Sequence, residues 1–229
     1  MSRQQELQAN LKSIKQEIEV ACDRANRNPD EVTLVAITKN FPSSDIERLY
    51  DLGIRDFGES KMQEFSQKYD ELELVATWHF IGQVQSNKIR EITRIADVIH
   101  SVDSAGHIEK FNRNAHEIGK VLNLLIQVNL DPDFPNGRGG VSREEVDELS
   151  RVIHGLGNVT LGGLMFIASP KITTQQAFGA FAPIVQEFKS LHPSAGIISA
   201  GMSSDFEDAL AIGATHLRIG SKLLGNRPL

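Results

Sequence analysis

Hydrophobic positions fall into two alternating rhythms along this chain. Leu7, Leu11, Ile14, Ile18 and Ala21 recur at helical spacing, with Pro29 beyond them, which predicts an amphipathic helix on the outside of the domain. Val32 to Thr38 then forms an apolar, β-branched run of the kind that makes a buried parallel strand. Further short strands are predicted at Ile54–Gly58, Trp78–Gly82, Asp97–Ser101 and Leu122–Asn129, within Val159–Ile167, and at Ile197–Ser199 and His216–Gly220. Helices fill the gaps. Capping boxes at Ser44-x-x-Glu47, Ser142-x-x-Glu145 and Ser204-x-x-Glu207 mark three starts, another helix begins near Ser86, and a long one lies within Thr173–Leu191. Gly53, Gly119 and Gly213 mark stops.

Eight strands alternating with helices predict an α/β fold, a (β/α)8 TIM barrel; a doubly wound sheet is the runner-up, and the count of eight decides for the barrel. No composition break divides the 229 residues, so one domain over residues 1–229 is expected. Leu130–Gly140, rich in Asp, Pro and Gly, is expected to be a loop after the fifth strand.

Chemistry in a barrel gathers at the C-terminal ends of the strands. Lys39 closes the first apolar strand, where Asn40-Phe41-Pro42 breaks it. A lysine there either snorkels to solvent or stands partly desolvated on an apolar floor, as a nucleophile toward carbonyls. The turns after strands seven and eight, Ala200-Gly201-Met202-Ser203-Ser204-Asp205 and Gly220-Ser221-Lys222, occupy the positions where barrels often hold phosphate. Gly201 and Gly220 permit close backbone approach, and Ser203 and Ser221 offer hydroxyls, although each serine also suits a plain helix cap. Arg218 falls between Leu217 and Ile219 inside the eighth strand. A buried arginine needs partners, either a salt bridge with Glu59 or Asp205 or an acceptor on a bound ring or phosphate. Lysine, phosphate cup and buried arginine together describe a pyridoxal-phosphate site.

Composition narrows the setting. Lys+Arg 24 against Asp+Glu 30 gives a net charge of −6, and no dense basic cluster is present, which argues against nucleic acid and anionic membranes as partners. The single cysteine, Cys22, forms no internal disulfide and fits a reducing compartment. No apolar stretch follows the N-terminus and none approaches membrane-spanning length, so a soluble cytoplasmic protein is expected. No P-loop, Gly-x-Gly-x-x-Gly or nucleophile elbow occurs, and the seven histidines make no helix-spaced pair for zinc. His79 and His100 are placed at strand ends, within reach of the mouth, and read as structural histidines.

Several stretches carry a family resemblance: Val35-Ala36-Ile37-Thr38-Lys39, Phe57-Gly58-Glu59-Ser60 with Gln63-Glu64, and Trp78-His79-Phe80-Ile81-Gly82-Gln83-Val84-Gln85-Ser86-Asn87-Lys88. They continue with His100-Ser101-Val102-Asp103, Gln127-Val128-Asn129, Gly163-Leu164-Met165, Ser199-Ala200-Gly201-Met202-Ser203 and Arg218-Ile219-Gly220. On these the chain resembles the pyridoxal-phosphate homeostasis proteins, short single-domain relatives of the alanine racemase barrel. The resemblance implies an alanine racemase N-terminal-domain-like barrel without a second domain, binding pyridoxal 5'-phosphate as a Schiff base on Lys39. It implies Arg218 at the pyridine nitrogen, Ser203, Gly220 and Ser221 at the phosphate, and Met202 among the cofactor-binding residues. Three departures stand out: Ser60 where relatives commonly carry Asn, Ala200 in place of a methionine, and Asp131–Gly140 in place of a shorter segment with a lysine, for which Arg138 is a candidate substitute.

Two functions follow from such a site. One is storage, buffering or delivery of the cofactor to apo-enzymes by a monomer without turnover of its own. The other is amino-acid racemisation. A racemase needs a second acid/base on the cofactor face opposite the lysine, which a second domain supplies in the long relatives, and arginine at the ring nitrogen weakens the electron sink. Both points favour binding over catalysis.

Overall fold

The computed structural model describes residues 1–131 and 139–225. Its strands β1 (Thr33–Ile37), β2 (Asp56–Glu59), β3 (Thr77–Phe80), β4 (Val98–Val102), β5 (Leu122–Val128), β6 (Val159–Phe166), β7 (Ile197–Ser199) and β8 (His216–Ile219) follow one another in order around a closed parallel barrel. Closure is made by β1, whose Ala36 pairs with both Phe57 of β2 and Ile219 of β8. Each strand lies within two residues of the bounds expected from its pattern.

Helices α1 (Arg3–Arg24), α2 (Ser43–Asp51), α3 (Met62–Glu71), α4 (Ile89–Ile95), α5 (Ala105–Glu117), α6 (Arg143–His154), α7 (Thr174–Leu191), α8 (Phe206–Ala211) and the single turn α9 (Ser221–Leu224) surround it. The apolar stripe of α1 is buried as the spacing requires, and the helix packs along α8 and α9. The guanidinium of Arg3 clasps Asp45 of α2 at 2.7 Å and the Leu224 carbonyl at 2.9 Å.

Alternation along the strands splits the core into two environments. One phase (Ala36, Phe57, Trp78, Ile99, Leu124, Leu164, Ile198, Leu217) joins the large apolar layer beneath the helices. The other phase faces into the barrel, where Val98, Leu125 and Met165 make only a small separate cluster. In step with these inward positions stand polar residues: His100 after Val98, Ser199 after Ile197, Arg218 after His216. This barrel carries a polar interior, and that interior leads to its mouth.

Local chemistry differed from expectation at three helix starts. The Ser142/Glu145 box forms, with the Ser142 N–H donating to Glu145 Oε2 at 2.8 Å. The Ser44 box does not. Pro42 caps α2 at φ −70°, so Ser44 lies inside the first turn and the Asp45 carboxylate serves Arg3 instead. The Ser204 box is also absent, because residues 202–205 close a turn of their own and α8 starts after Asp205. The helix expected near Ser86 begins at Ile89, after a turn in which the Lys88 N–H meets the Gln85 carbonyl at 2.8 Å.

Candidate cofactor site

Lys39 follows β1 in phase with the inward-facing Val35 and Ile37, and is half-buried. Its turn is short, closed by Phe41 N–H on the Thr38 carbonyl at 3.0 Å, and Asn40 takes φ +65°. The turn is held from outside by a buried lysine that the residue pattern did not single out. Lys68 of α3 places Nζ 2.7 Å from the Thr38 carbonyl, 2.6 Å from Glu59 Oε1 and 2.6 Å from Glu64 Oε1. The same Glu59 oxygen accepts from Thr38 Oγ1 at 2.7 Å, and the same Glu64 oxygen accepts the Asn40 N–H at 2.5 Å. Both neighbours of Lys39 are therefore tied to one ammonium and two carboxylates. Burial pushes the Glu59 carboxyl above its ordinary range, opposed by the charge and hydrogen bond of Lys68. The available signal was Glu64, one helical turn before Lys68 and part of the Gln63-Glu64 motif.

The turns after β7 and β8 meet each other, and the second lies against the end of β1. Gly201 adopts φ +91°, and a Cβ there would stand 2.8 Å from the Ala209 side chain, so only glycine lets the turn fold back on α8. The Gly201 carbonyl accepts the Arg218 N–H at 3.0 Å. Ser203 Oγ accepts the Lys222 N–H at 3.3 Å, which joins the first turn to the start of α9. Gly220 packs against the end of β1; a Cβ there would touch the Ile37 carbonyl at 3.4 Å. Ser203 is half-buried and Ser221 exposed. Met202 gives its N–H to Asp205 Oδ1 at 2.5 Å, and its carbonyl accepts from Asp205 and Phe206, which leaves its thioether as the group to offer a ligand. Lys222 turns its ammonium to Glu17, away from this pair of turns.

Arg218 is buried, but neither expected carboxylate pairs with it. Glu59 is engaged by Lys68 and Thr38, and Asp205 by the Met202 N–H. The guanidinium instead donates Nη1–H to Ser199 Oγ at 2.6 Å and Nη2–H to the Phe166 carbonyl at 2.9 Å. Both acceptors are neutral. Burial lowers its pKa to about 10, with the charge of Asp205 opposing, so it stays protonated at neutral pH. His79 and His100 also depart from expectation: they sit within β3 and β4, inside the barrel, with His79 Nδ1 2.8 Å from His100 Nε2. Ser60 borders a cavity beside the mouth with Lys61, Gln83 and Lys88. Arg138 and residues 132–138 of the loop lie outside the described residues.

A primary amine, two bridged hydroxyl-bearing turns and a fixed guanidinium suit an aldehyde bearing a phosphate and a basic ring nitrogen. Among the described residues no cluster of histidine, cysteine and carboxylates suits a metal ion.

Comparison with known proteins shows the family. The family model described as the alanine racemase N-terminal domain matches residues 9–228. The pyridoxal phosphate homeostasis protein of Escherichia coli K12 is 35% identical over 225 residues, covering 95% of each chain. The chain belongs to the pyridoxal phosphate homeostasis protein family. The same-named protein of Pseudomonas aeruginosa is 34% identical over 95% of this chain and 94% of its own. PipY of Synechococcus elongatus PCC7942, solved with PLP bound, superposes with a TM-score of 0.80 at 35% identity, covering 96% of this chain and all of that one. Alanine racemase of Clostridium difficile 630 shares the fold at TM-score 0.71 and 14% identity; this chain spans 58% of its length.

Proposed function

We propose that this protein binds pyridoxal 5'-phosphate through Lys39 and serves cofactor homeostasis in the cytoplasm as a monomer, storing, buffering or delivering the cofactor to apo-enzymes. The observation that carries this reading is the convergence at one barrel mouth of Lys39, the Ser203–Lys222 bridge between two glycine turns, and a buried Arg218. When bound, the cofactor supplies an aldehyde for amines and an electron-withdrawing ring. The protein's own residues do the rest. Lys39 would supply the amine that holds the aldehyde, Ser203, Gly220 and Ser221 would hold the phosphate, and the Met202 side chain would pack alongside. Arg218 would donate a hydrogen bond to the ring nitrogen without giving up its proton.

That last feature separates binding from turnover. A guanidinium leaves the ring nitrogen unprotonated, so the ring draws charge from an amino-acid carbanion only weakly. The relatives that match over 94–95% of their own length carry a homeostasis name, in keeping with this reading. No helix among the described residues is long and apolar enough to cross a membrane.

The test is exchange of the α-proton of L-alanine and other amino acids into deuterated water, with loaded protein at high concentration. Binding without turnover predicts no exchange beyond that of free cofactor. Rapid exchange that yields the D-enantiomer and vanishes in Lys39→Ala would replace the proposal with a racemase.

A further inference from the structure

Five side chains form one hydrogen-bonded chain through the inside of the barrel. Arg218 Nη1 donates to Ser199 Oγ at 2.6 Å, and Ser199 Oγ lies 2.8 Å from His100 Nδ1. His100 Nε2 lies 2.8 Å from His79 Nδ1, and His79 Nε2 lies 3.0 Å from Asp56 Oδ1. The chain thus runs from β8 through β7, β4 and β3 to Asp56, the first residue of β2, whose side chain is 25% exposed. Every other member is buried.

The chemistry of the two ends fixes the direction. A carboxylate only accepts and a guanidinium only donates. With both imidazoles neutral, one proton arrangement satisfies every member. His79 gives Nε2–H to Asp56 and accepts on Nδ1; His100 gives Nε2–H to His79 and accepts on Nδ1; Ser199 gives its hydroxyl hydrogen to His100 and accepts from Arg218. Complete burial holds His100 well below its ordinary range, which keeps its ring neutral. Bonds aligned head to tail polarise one another, so the negative charge of Asp56 strengthens Ser199 Oγ as an acceptor. This matters because Arg218 has no carboxylate within hydrogen-bond distance among the described residues. Two fixed acceptors, Ser199 Oγ and the Phe166 carbonyl, set the plane of the guanidinium at the ends of β7 and β6. His216 stands beside the chain, its ring centroid 6.1 Å from that of His79, without joining it.

We propose that Ser199, His100, His79 and Asp56 are positioning residues that aim Arg218 at the ring nitrogen of the bound cofactor. The inference rests on the reading that Arg218 faces that nitrogen. The inward polar positions of four strands then act together. They set how strongly the site grips the ring, from beneath the mouth and out of contact with the cofactor.

The experiment compares the dissociation constants of pyridoxal 5'-phosphate and its 1-deaza analogue, in which carbon replaces the ring nitrogen. Wild type, Asp56→Asn, Ser199→Ala and Ser199→Thr are measured, each first checked for a cooperative unfolding transition. A charge-assisted hydrogen bond to the nitrogen makes wild type prefer the natural cofactor by about tenfold or more. Ser199→Ala and Asp56→Asn are expected to cut that preference by about threefold or more while leaving affinity for the deaza analogue unchanged. Ser199→Thr, which keeps the hydroxyl, retains it; if its methyl group prevents folding, Asp56→Asn decides. Nitrogen-15 spectra of the cofactor-free protein supply an independent readout: His100 Nδ1 unprotonated and Nε2 protonated, with the His79 signals moved by Asp56→Asn. A wild-type preference that survives unchanged in Asp56→Asn and Ser199→Ala, or a protonated His100 Nδ1, would overturn the inference and leave the placement of Arg218 intact. Wild type that binds both ligands equally would remove that placement, and the inference with it.

Discussion

Lys68→Met removes one ammonium and leaves the apolar stem in place. Three contacts vanish, to the Thr38 carbonyl and to Glu59 and Glu64. They are not equal. Glu64 is 22% exposed and can take up water, whereas Glu59 is fully buried. Glu59 Oε2 already has no partner, so the substitution leaves a buried carboxylate with only the Thr38 hydroxyl. Breaking one side of a buried pair costs about 3–5 kcal/mol, mostly the penalty of the stranded charge. The loss depends on pH because the carboxylate can take a proton. Burial has already raised its pKa, and without Lys68 it rises further. A folded-state pKa above the unfolded value means that stability is lost as pH climbs between the two. Urea unfolding should therefore show the largest deficit for Lys68→Met at pH 7–8 and a much smaller one near pH 5. Adding Glu59→Gln should recover most of it at neutral pH, since the two sites form one network. A deficit below about 1 kcal/mol at pH 7, or one that stays constant from pH 5 to pH 8, would refute the assignment of Lys68 as the charge that supports the Lys39 turn.

Other outcomes follow from the same geometry. Ser203→Ala with Ser221→Ala should weaken binding of pyridoxal 5'-phosphate by about 1–3 kcal/mol per lost donor and leave pyridoxal nearly unaffected, as measured by titration; equal losses for both would place the phosphate elsewhere. Acid should destabilise the fold between pH 6.5 and about 4, because burial, with the neighbouring His79 adding to it, holds His216 at about 4 in the folded state while the unfolded chain takes up the proton. That difference amounts to about 3 kcal/mol, and His216→Gln should flatten the slope of stability against pH in that window; an unchanged slope would show that His216 does not set it.

The barrel could be read from the chain because short runs containing apolar residues alternate with helix and turn signals, and eight such runs admit few closed arrangements. The positions of Lys39 and the two glycine turns, at the ends of β1, β7 and β8, could be read because sequence locates strand ends well. What failed was chemistry decided across space. Ser44 and Ser204 have the spacing of caps, but Pro42 and the turn at residues 202–205 set the helix starts first. Arg218 needed a partner, and strand order alone could not say that Ser199 and the Phe166 carbonyl, both neutral, would face it. Lys68 sits in a helix that reads as polar and solvated, which hid its burial. The polar interior did leave a trace. Val98/His100, Ile197/Ser199 and His216/Arg218 repeat a polar residue on one phase of three strands, a pattern that marks an inward face carrying polar groups.

The central claim, attachment of the cofactor at Lys39, is tested most directly by locating the bond. Protein loaded with pyridoxal 5'-phosphate is reduced with borohydride, digested and read by mass spectrometry, beside Lys39→Ala and Lys68→Met treated alike. The account predicts a phosphopyridoxyl group on the peptide carrying Lys39 in wild type and in Lys68→Met, and no site-specific adduct or visible absorption band in Lys39→Ala. A stoichiometric adduct that persists in Lys39→Ala, or one mapped to Lys68, would contradict it.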